Sequence, residues 1–180
     1  MIRFSILGFL MLCCGSMARA ADPQPELKPL RQKMLLAANN KKTADSLYNA
    51  LDKLPAKSPV IMAYIATLDA LKAKQTWNPY SKIKYLNQSQ SLLLTAVADD
   101  PHNIEIRFLR FSIQHNVPGF LGYGKNLAED REEIITQLDR KNYNLAEKEL
   151  IRTIIAFLLN SKRCSQPEGT RLHQYLTDLK

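Results

Sequence analysis

Apolar residues recur at helical spacing along almost the whole chain. Leucine, isoleucine and methionine repeat every three or four residues, as on one face of an α-helix, and no stretch alternates as a half-buried strand does. The apolar stripes span residues 27–35, 47–54, 61–71, 83–97, 104–113, 127–138, 150–158 and 172–179. This pattern predicts an all-α protein of about eight helices.

Polar residues and prolines mark where these helices begin. Ser58 and Asn78 each precede a proline, the usual order of an N-cap residue and a proline in the first helical position. Four further caps are predicted: Thr43 for the second helix, Asn103 for the fifth, Asn144 with Glu147 for the seventh and Ser165 with Glu168 for the eighth. The helices are therefore joined by short connections.

Short connections between helices favour antiparallel hairpins. The segments "ALDKLP" and "AVADDP" begin at Ala50 and Ala96, 46 residues apart, and each ends a predicted helix with a proline. That spacing exceeds the repeat of about 34 residues in tetratricopeptide arrays. The sequence favours a degenerate, tetratricopeptide-like stack of four hairpins, with an irregular α-bundle as the alternative.

The first twenty residues differ from the rest and predict a secretory signal peptide. A basic start containing Arg3 is followed by an apolar run and by the small-x-small motif Ala18-Arg19-Ala20. Residues 21–180 are then one all-α domain, exported to the periplasm or the extracellular space, with no transmembrane segment after cleavage. Without Arg3 and Arg19, 23 basic residues face 17 acidic ones, so the net charge falls from +8 to +6.

The sequence lacks the motifs of the common catalytic and metal sites. Its three histidines have no metal-ligand spacing, and its glycines match neither a phosphate loop nor a nucleophile elbow. Cys164 is the one cysteine beyond the predicted signal peptide, in a polar "SKRCSQ" segment typical of a loop. We therefore expect no catalytic residue, no metal and no cofactor.

Three segments of the chain resemble a family of secreted helical proteins. "TWNPYSKIKYL" (76–86), "AVADDPHNIEIRFLRF" (96–111) and "NVPGFLGY" (116–123), followed by Asp130, resemble secreted, tetratricopeptide-like helical proteins of Bacteroidota. The resemblance covers less than half of residues 21–180. It implies a helical-repeat fold facing the periplasm or the cell surface, and it implies no reaction and no catalytic residue.

Two arginines interrupt the apolar pattern of the predicted fifth helix. Arg107 and Arg110 lie on a narrow edge between two apolar faces. Those faces consist of Ile104, Phe108 and Phe111 on one side and of Ile106, Leu109 and Ile113 on the other. A buried guanidinium needs a partner, so the favoured interpretation pairs an arginine with Asp130 or Glu129 of the next helix. In the alternative, one arginine faces a groove and binds a carboxylate or phosphate.

Aromatic residues near two turns complete the set of candidate binding residues. Trp77 precedes the Asn78 cap, and the favoured interpretation packs it against the following turn near Lys82 as a hydrophobic staple. An exposed Trp77 beside Lys82 would instead be a platform for a sugar or an anionic polymer. After the Pro-Gly turn at 118–119, Tyr123 is predicted to help close the junction between two helices, together with Phe120 and Leu121.

Three hypotheses of function follow from these patterns. The first is an exported, non-enzymatic helical-repeat module that binds a protein or peptide partner in the cell envelope. The second is a basic periplasmic protein that binds an anionic envelope polymer or lipid head groups, with nucleic acid excluded by export. The third is an enzyme of unknown class with a site near Arg107, Arg110, Asp130 and Tyr123.

Overall fold

The computed structural model describes residues 24–143 and 147–179, and over these ranges the protein is all-α. Eight α-helices and one 3₁₀ turn at Gly119–Leu121 occupy the described chain. The helices are α1 (Leu27–Ala37), α2 (Lys41–Asp52), α3 (Pro59–Gln75), α4 (Pro79–Asp99), α5 (Ile104–Asn116), α6 (Leu127–Asp139), α7 (Lys148–Asn160) and α8 (Gln166–Asp178). The predicted signal peptide at 1–20 and the predicted cap Asn144 lie outside the described residues.

Most of the predicted helix starts are confirmed. Helices α3 and α4 begin at Pro59 and Pro79, and the Asn78 side chain accepts hydrogen bonds from the first turn of α4. Asn103 caps α5 in the same way, at 3.1 Å from the Glu105 amide nitrogen. A capping box of Ser165 and Glu168 opens α8. Ser58 precedes α3 without a side-chain cap hydrogen bond.

Two local predictions are wrong. Asn40, rather than Thr43, caps α2, because the Asn40 carboxamide accepts a hydrogen bond of 3.1 Å from the amide of Thr43. Leu35 was predicted to belong to the buried stripe of α1, but it is 73% exposed. The buried residues of α1 are Leu30, Met34 and Ala37, so the helix turns a narrower apolar face to the core.

Helices that are adjacent in the chain pack as pairs. α1 contacts α2, α3 contacts α4, α5 contacts α6 and α7 contacts α8, and the contact between α3 and α4 is the most extensive. Further contacts join α2 to α3, α3 to α5, α4 to α5, α5 to α7 and α6 to α8. From α3 through α5 to α7 the first helix of one hairpin packs on the first helix of the next, whereas the first hairpin joins the second mainly through α2 and α3.

Helix α5 lies between two hydrophobic clusters. Ile106 and Leu109 belong to a cluster formed with α1–α4, whereas Ile104 and Phe111 belong to a second cluster formed with α6–α8. Phe111 also meets Phe157 of α7 edge to face, with ring centroids 6.1 Å apart. The two apolar faces predicted for this helix are confirmed, since each is buried in a different cluster.

A buried polar network, which the sequence did not reveal, also holds α5 in place. Arg31 of α1 donates two hydrogen bonds to the carboxylate of Glu105, at 2.8 and 2.7 Å, and the Tyr64 hydroxyl of α3 donates to the same carboxylate. Burial and the Glu105 carboxylate raise the pKa of Tyr64, so the phenol remains a donor. The network ties three helices to one carboxylate at the start of α5.

Within the described ranges no helix is both long enough and apolar enough to cross a membrane.

Candidate functional site

The arginine edge of α5 forms a closed ion-pair cluster with the start of α6. Arg110 donates through Nε and Nη2 to the two oxygens of Asp130, at 2.7 and 2.6 Å. Arg107 Nη1 donates to Asp130 Oδ1 at 3.0 Å and to Glu129 Oε1 at 2.5 Å, while Arg107 Nε donates to the Pro101 carbonyl oxygen at 2.8 Å. Two guanidinium groups therefore share two neighbouring carboxylates.

Burial distinguishes the two carboxylates of this cluster. Asp130 is fully buried, whereas the side chain of Glu129 is 53% exposed. The hydrogen bond from Arg107 is the main cause that lowers the pKa of Glu129 to about 2, although partial burial opposes the shift. Burial opposes protonation of Arg107 too, but its hydrogen bonds to Glu129 and Asp130 outweigh that effect and raise its pKa. Glu129 and Arg107 therefore remain charged at neutral pH.

A pair of amides extends the cluster along the same interface. Gln114 of α5 exchanges hydrogen bonds with Asn126, at 3.2 Å to its side chain and 3.1 Å from its backbone nitrogen. Asn126 in turn donates to Glu129 at 3.0 Å. The structure thus shows the ion pair that closes the hairpin, and neither Arg107 nor Arg110 is open to a groove. This arrangement gives no support to a reaction at these arginines.

The staple predicted for Trp77 is wrong. Its side chain is 99% exposed, and Tyr80 in the first turn of α4 is 86% exposed. Trp77 lies in the three-residue connection between α3 and α4, and the buried positions of α4 begin only at Leu86. The first turn of α4 therefore presents no buried apolar surface for Trp77 to pack against, and both Trp77 and Lys82 are exposed.

The aromatic junction after the Pro-Gly turn is confirmed only in part. The Tyr123 hydroxyl donates a hydrogen bond of 2.6 Å to Asn87 Oδ1 of α4, so Tyr123 does link neighbouring helices. Leu121 is partly buried, but Phe120 is 88% exposed and fills no junction. The turn is completed by Gly122, whose φ of 75° lies in the left-handed region that glycine adopts without strain.

The seven candidate residues do not form one site. Among the described residues, no hydrogen bond or ion pair joins the arginine cluster to Trp77, Asn78 or Lys82 at the start of α4, or to Tyr123. The arginine cluster closes the contact between α5 and α6, while Trp77, Asn78 and Lys82 lie where α3 ends and α4 begins. The sequence grouped these residues as candidates and left their convergence open, because it does not show which turns face each other.

A polar cleft lies beside Trp77, between α2, α3 and α4. Its volume is about 330 Å³. The lining residues are Lys41, Asp45, Lys72, Gln75, Thr76, Ser81 and Tyr85. None of these seven residues is a candidate site residue in the sequence analysis. Residues from three helices form the cleft, so no spacing within one segment marks it.

Lys72 is the most constrained side chain of the cleft. Its ammonium nitrogen lies 2.8 Å from the ring centroid of Tyr48 and 3.5 Å from Asp69 Oδ1. Burial raises the pKa of Asp69 and of Tyr48. The cation–π contact and the partly buried carboxylate hold the charge of Lys72 at the wall of the cleft.

In the part of the chain that is described, the remaining reactive groups bear on two kinds of site, a metal site and an activated thiol. No group of three or more histidine, cysteine, aspartate or glutamate side chains is placed to hold a metal ion there. Burial raises the pKa of the Cys164 thiol, which is the opposite of the shift that activates a nucleophilic cysteine.

No protein-family model, curated protein or solved structure matches this chain. The resemblance to secreted helical proteins of Bacteroidota therefore stays a prediction.

Proposed function

We propose that the protein is an exported, non-enzymatic module of stacked helical hairpins that binds an anionic polymer of the cell envelope. The contacts from α3 through α5 to α7 support the tetratricopeptide-like stack, because they repeat one packing relation along the chain. Export rests on the predicted signal peptide. The binding surface rests on the distribution of unpaired lysines.

Five exposed lysines lie at one end of the α2–α3–α4 group. The cleft joins the start of α2, the end of α3 and the start of α4, so these three helix ends meet. We call the surface around them the lysine-rich end. Its lysines are Lys41, Lys42, Lys74, Lys82 and Lys84.

These lysines have no ion-pair partner among the described residues, and this observation carries the proposal. The carboxylates of the chain pair mainly with arginines, namely Arg31, Arg107, Arg110, Arg131, Arg152 and Arg171. The lysine-rich end therefore keeps its positive charge facing solvent. A concentration of unpaired positive charge attracts polyanions, and the attraction weakens as salt screens it.

Trp77 makes the proposal directly measurable. It is the only tryptophan of the chain and stands exposed at the lysine-rich end. We expect polygalacturonate, used as a model polyanion, to change the Trp77 fluorescence of the 21–180 protein at low salt. The apparent affinity should fall steeply as salt increases.

A charge-matched pair of variants tests where the polymer binds. Replacing Lys42, Lys74 and Lys82 together by glutamine should weaken polygalacturonate binding by at least about tenfold at low salt. The control replaces exposed Lys125, Lys148 and Lys162 by glutamine and changes the net charge equally. Equal weakening by both variants, or binding that does not respond to salt, would contradict the proposal. Stronger binding to phosphatidylglycerol vesicles than to the polymer would point to lipid head groups instead.

A second candidate function is the binding of a protein partner. Leu35 and Leu36 are 73% and 64% exposed on α1, and such adjacent apolar side chains are typical of contact surfaces. A photo-crosslinking residue at position 36 should capture a defined envelope protein in cells, whereas the same residue at exposed Gln88 should not. Identical products from both positions would argue against this candidate.

A further inference from the structure

The cleft at the lysine-rich end has the polar lining of a ligand site. Six of its seven lining side chains make no hydrogen bond or ion pair with another described residue; Lys72, which contacts Asp69, is the exception. The six are Lys41, Asp45, Gln75, Thr76, Ser81 and Tyr85. The buried polar groups between α5 and α6 are, by contrast, engaged with one another. The cleft thus leaves the polar groups of these six side chains available to a ligand, as binding sites do.

The charges of the cleft favour a ligand that carries an acidic group. Lys41 and Asp45 lie one turn apart on α2 without forming an ion pair, and Lys72 already contacts Asp69. Lys41 is therefore a free cation at the wall of the cleft. A carboxylate or phosphate is the group that such a lysine binds through a charge-assisted hydrogen bond.

The neutral groups favour a ligand with several hydroxyls. Ser81, Thr76 and Tyr85 each offer a hydroxyl that both donates and accepts, and Asp45 only accepts. Gln75 Oε1 is buried without a hydrogen-bond partner, so no internal bond fixes the carboxamide, and it can turn toward a ligand. A sugar hydroxyl can donate one hydrogen bond and accept another, so it can pair with both the donors and the acceptors of the cleft.

One aromatic side chain lines the cleft, and two more are adjacent in sequence to its lining residues. Tyr85 lines it, while exposed Trp77 and Tyr80 are the chain neighbours of the lining residues Thr76 and Ser81. Aromatic rings offer a flat apolar face with a polar tip or edge, which suits the C–H face of a pyranose ring. A volume of about 330 Å³ is at the small end of ligand pockets, which span about 300–1,000 Å³, and suits a single sugar unit rather than a peptide.

We propose that this cleft binds one acidic saccharide unit, with Lys41 on its carboxylate or phosphate and with Asp45, Gln75 and Ser81 on its hydroxyls. This inference rests on the proposed polymer-binding function in one respect only. An acidic sugar is a unit of an anionic envelope polymer, so that polymer would be the source of the ligand. The cleft supplies selectivity for the unit, and the lysine-rich end supplies attraction to the chain.

The test uses the 21–180 protein and trigalacturonate, with its methyl ester as the uncharged counterpart and glucose 6-phosphate as the phosphate-bearing sugar. We expect isothermal titration to show that at least one acidic sugar binds at least about tenfold more tightly than the methyl ester. The preferred acid identifies carboxylate or phosphate as the natural group. Equal binding of the ester and both acids, or no binding of any of them, would overturn the inference.

Lys41→Gln and Lys53→Gln form a matched pair, because Lys41 begins α2 and lines the cleft, whereas exposed Lys53 caps the other end of α2, away from the lysine-rich end. Lys41→Gln should weaken binding of the acidic sugar about tenfold and leave the ester unchanged, whereas Lys53→Gln should change neither by more than about twofold. Asp45→Asn should weaken binding of acid and ester alike. Equal effects of Lys41→Gln and Lys53→Gln would contradict the assignment.

The two proposals fail separately. If polygalacturonate binds and the Lys41→Gln and Lys53→Gln variants bind trigalacturonate equally, the cleft inference is wrong while the polymer-binding function stands. If trigalacturonate binds in the cleft and the triple replacement of Lys42, Lys74 and Lys82 leaves polygalacturonate binding unchanged, the lysine-rich end is not the polymer-binding surface while the cleft inference stands.

Discussion

Arginine occupies both positions on the polar edge of α5 because a planar fork can hold one carboxylate from two sides. Arg110 places Nε and Nη2 on the two oxygens of Asp130, and Arg107 adds a third bond while reaching Glu129. A lysine offers a single nitrogen and cannot form the two parallel bonds. At the scale of the residue, the interface between α5 and α6 therefore depends on guanidinium geometry.

Removing the charge of Asp130 should be the most damaging single change in this cluster. Asp130→Asn keeps the volume but leaves Arg107 and Arg110 buried with only Glu129 as counter-ion. We expect the free energy of unfolding to fall by about 3–5 kcal/mol, as when one partner of a buried ion pair is lost. Urea denaturation followed by circular dichroism measures this loss. Glu129→Gln is the control and should cause a smaller loss, because Glu129 is partly exposed. Equal losses from the two variants would refute the assignment.

The contribution of Glu129 to stability should depend on pH. Its pKa falls from 4.5 to about 2 on folding, so its stabilising effect is complete above pH 4.5 and is lost as the pH falls toward about 2. The difference in unfolding free energy between the wild-type protein and Glu129→Gln should therefore narrow across that interval. Urea midpoints measured at several pH values test this, and a constant difference would contradict it.

Residue-scale expectations succeeded where local chemistry decides the outcome. The pairing of Arg107 and Arg110 with the next helix followed from the cost of burying an unpaired charge, which holds in any fold. The staple at Trp77 failed because the start of α4 is exposed on the side that Trp77 faces, and only packing determines which turns are covered. Whether a side chain is exposed depends on which residues of other elements pack around it.

Helix α5 shows how a single element can be read correctly before its partners are known. Its two apolar faces and its polar edge follow from a period of 3.6 residues, and each face meets a different cluster. The period does not identify the residues that contact the helix, such as Arg31 and Tyr64, which donate hydrogen bonds to Glu105. Those contacts join residues far apart in the chain.

Helix starts with and without a side-chain cap hydrogen bond should contribute differently to stability. Asn103→Ala should lower the free energy of unfolding by about 1 kcal/mol, because the Asn103 side chain accepts from two backbone amides of α5. Ser58→Ala should change it by a few tenths of a kcal/mol at most, since Ser58 makes no side-chain cap hydrogen bond. Thermal or urea unfolding distinguishes the two, and equal effects would contradict the capping assignment.

At the scale of the whole molecule, α5 couples two hydrophobic clusters that would otherwise be independent. Ile106 and Phe111 are both fully buried, one in each cluster. A helix shared by both cores cannot leave one without disturbing the other. We therefore expect the described helices to unfold as one cooperative unit.

Two core substitutions test that coupling. Ile106→Ala and Phe111→Ala should each lower the free energy of unfolding by about 2–5 kcal/mol, and each should do so in a single transition. Hydrogen exchange should show faster exchange in both α3 and α7 for either variant. Loss of protection confined to α1–α4 in one variant and to α6–α8 in the other would show two separate folding units.

The sequence by itself determined the helical class, most helix starts and the amphipathic character of α5, because these depend on residues within one or two turns of each other. Only the tertiary structure decided that the arginine edge is closed, that Trp77 is exposed and that a polar cleft lies beside it. The cleft needs residues from three helices, and the way their ends meet is set by the packing of the cluster that these helices share. The periodicity within one helix does not show where the ends of different helices come together.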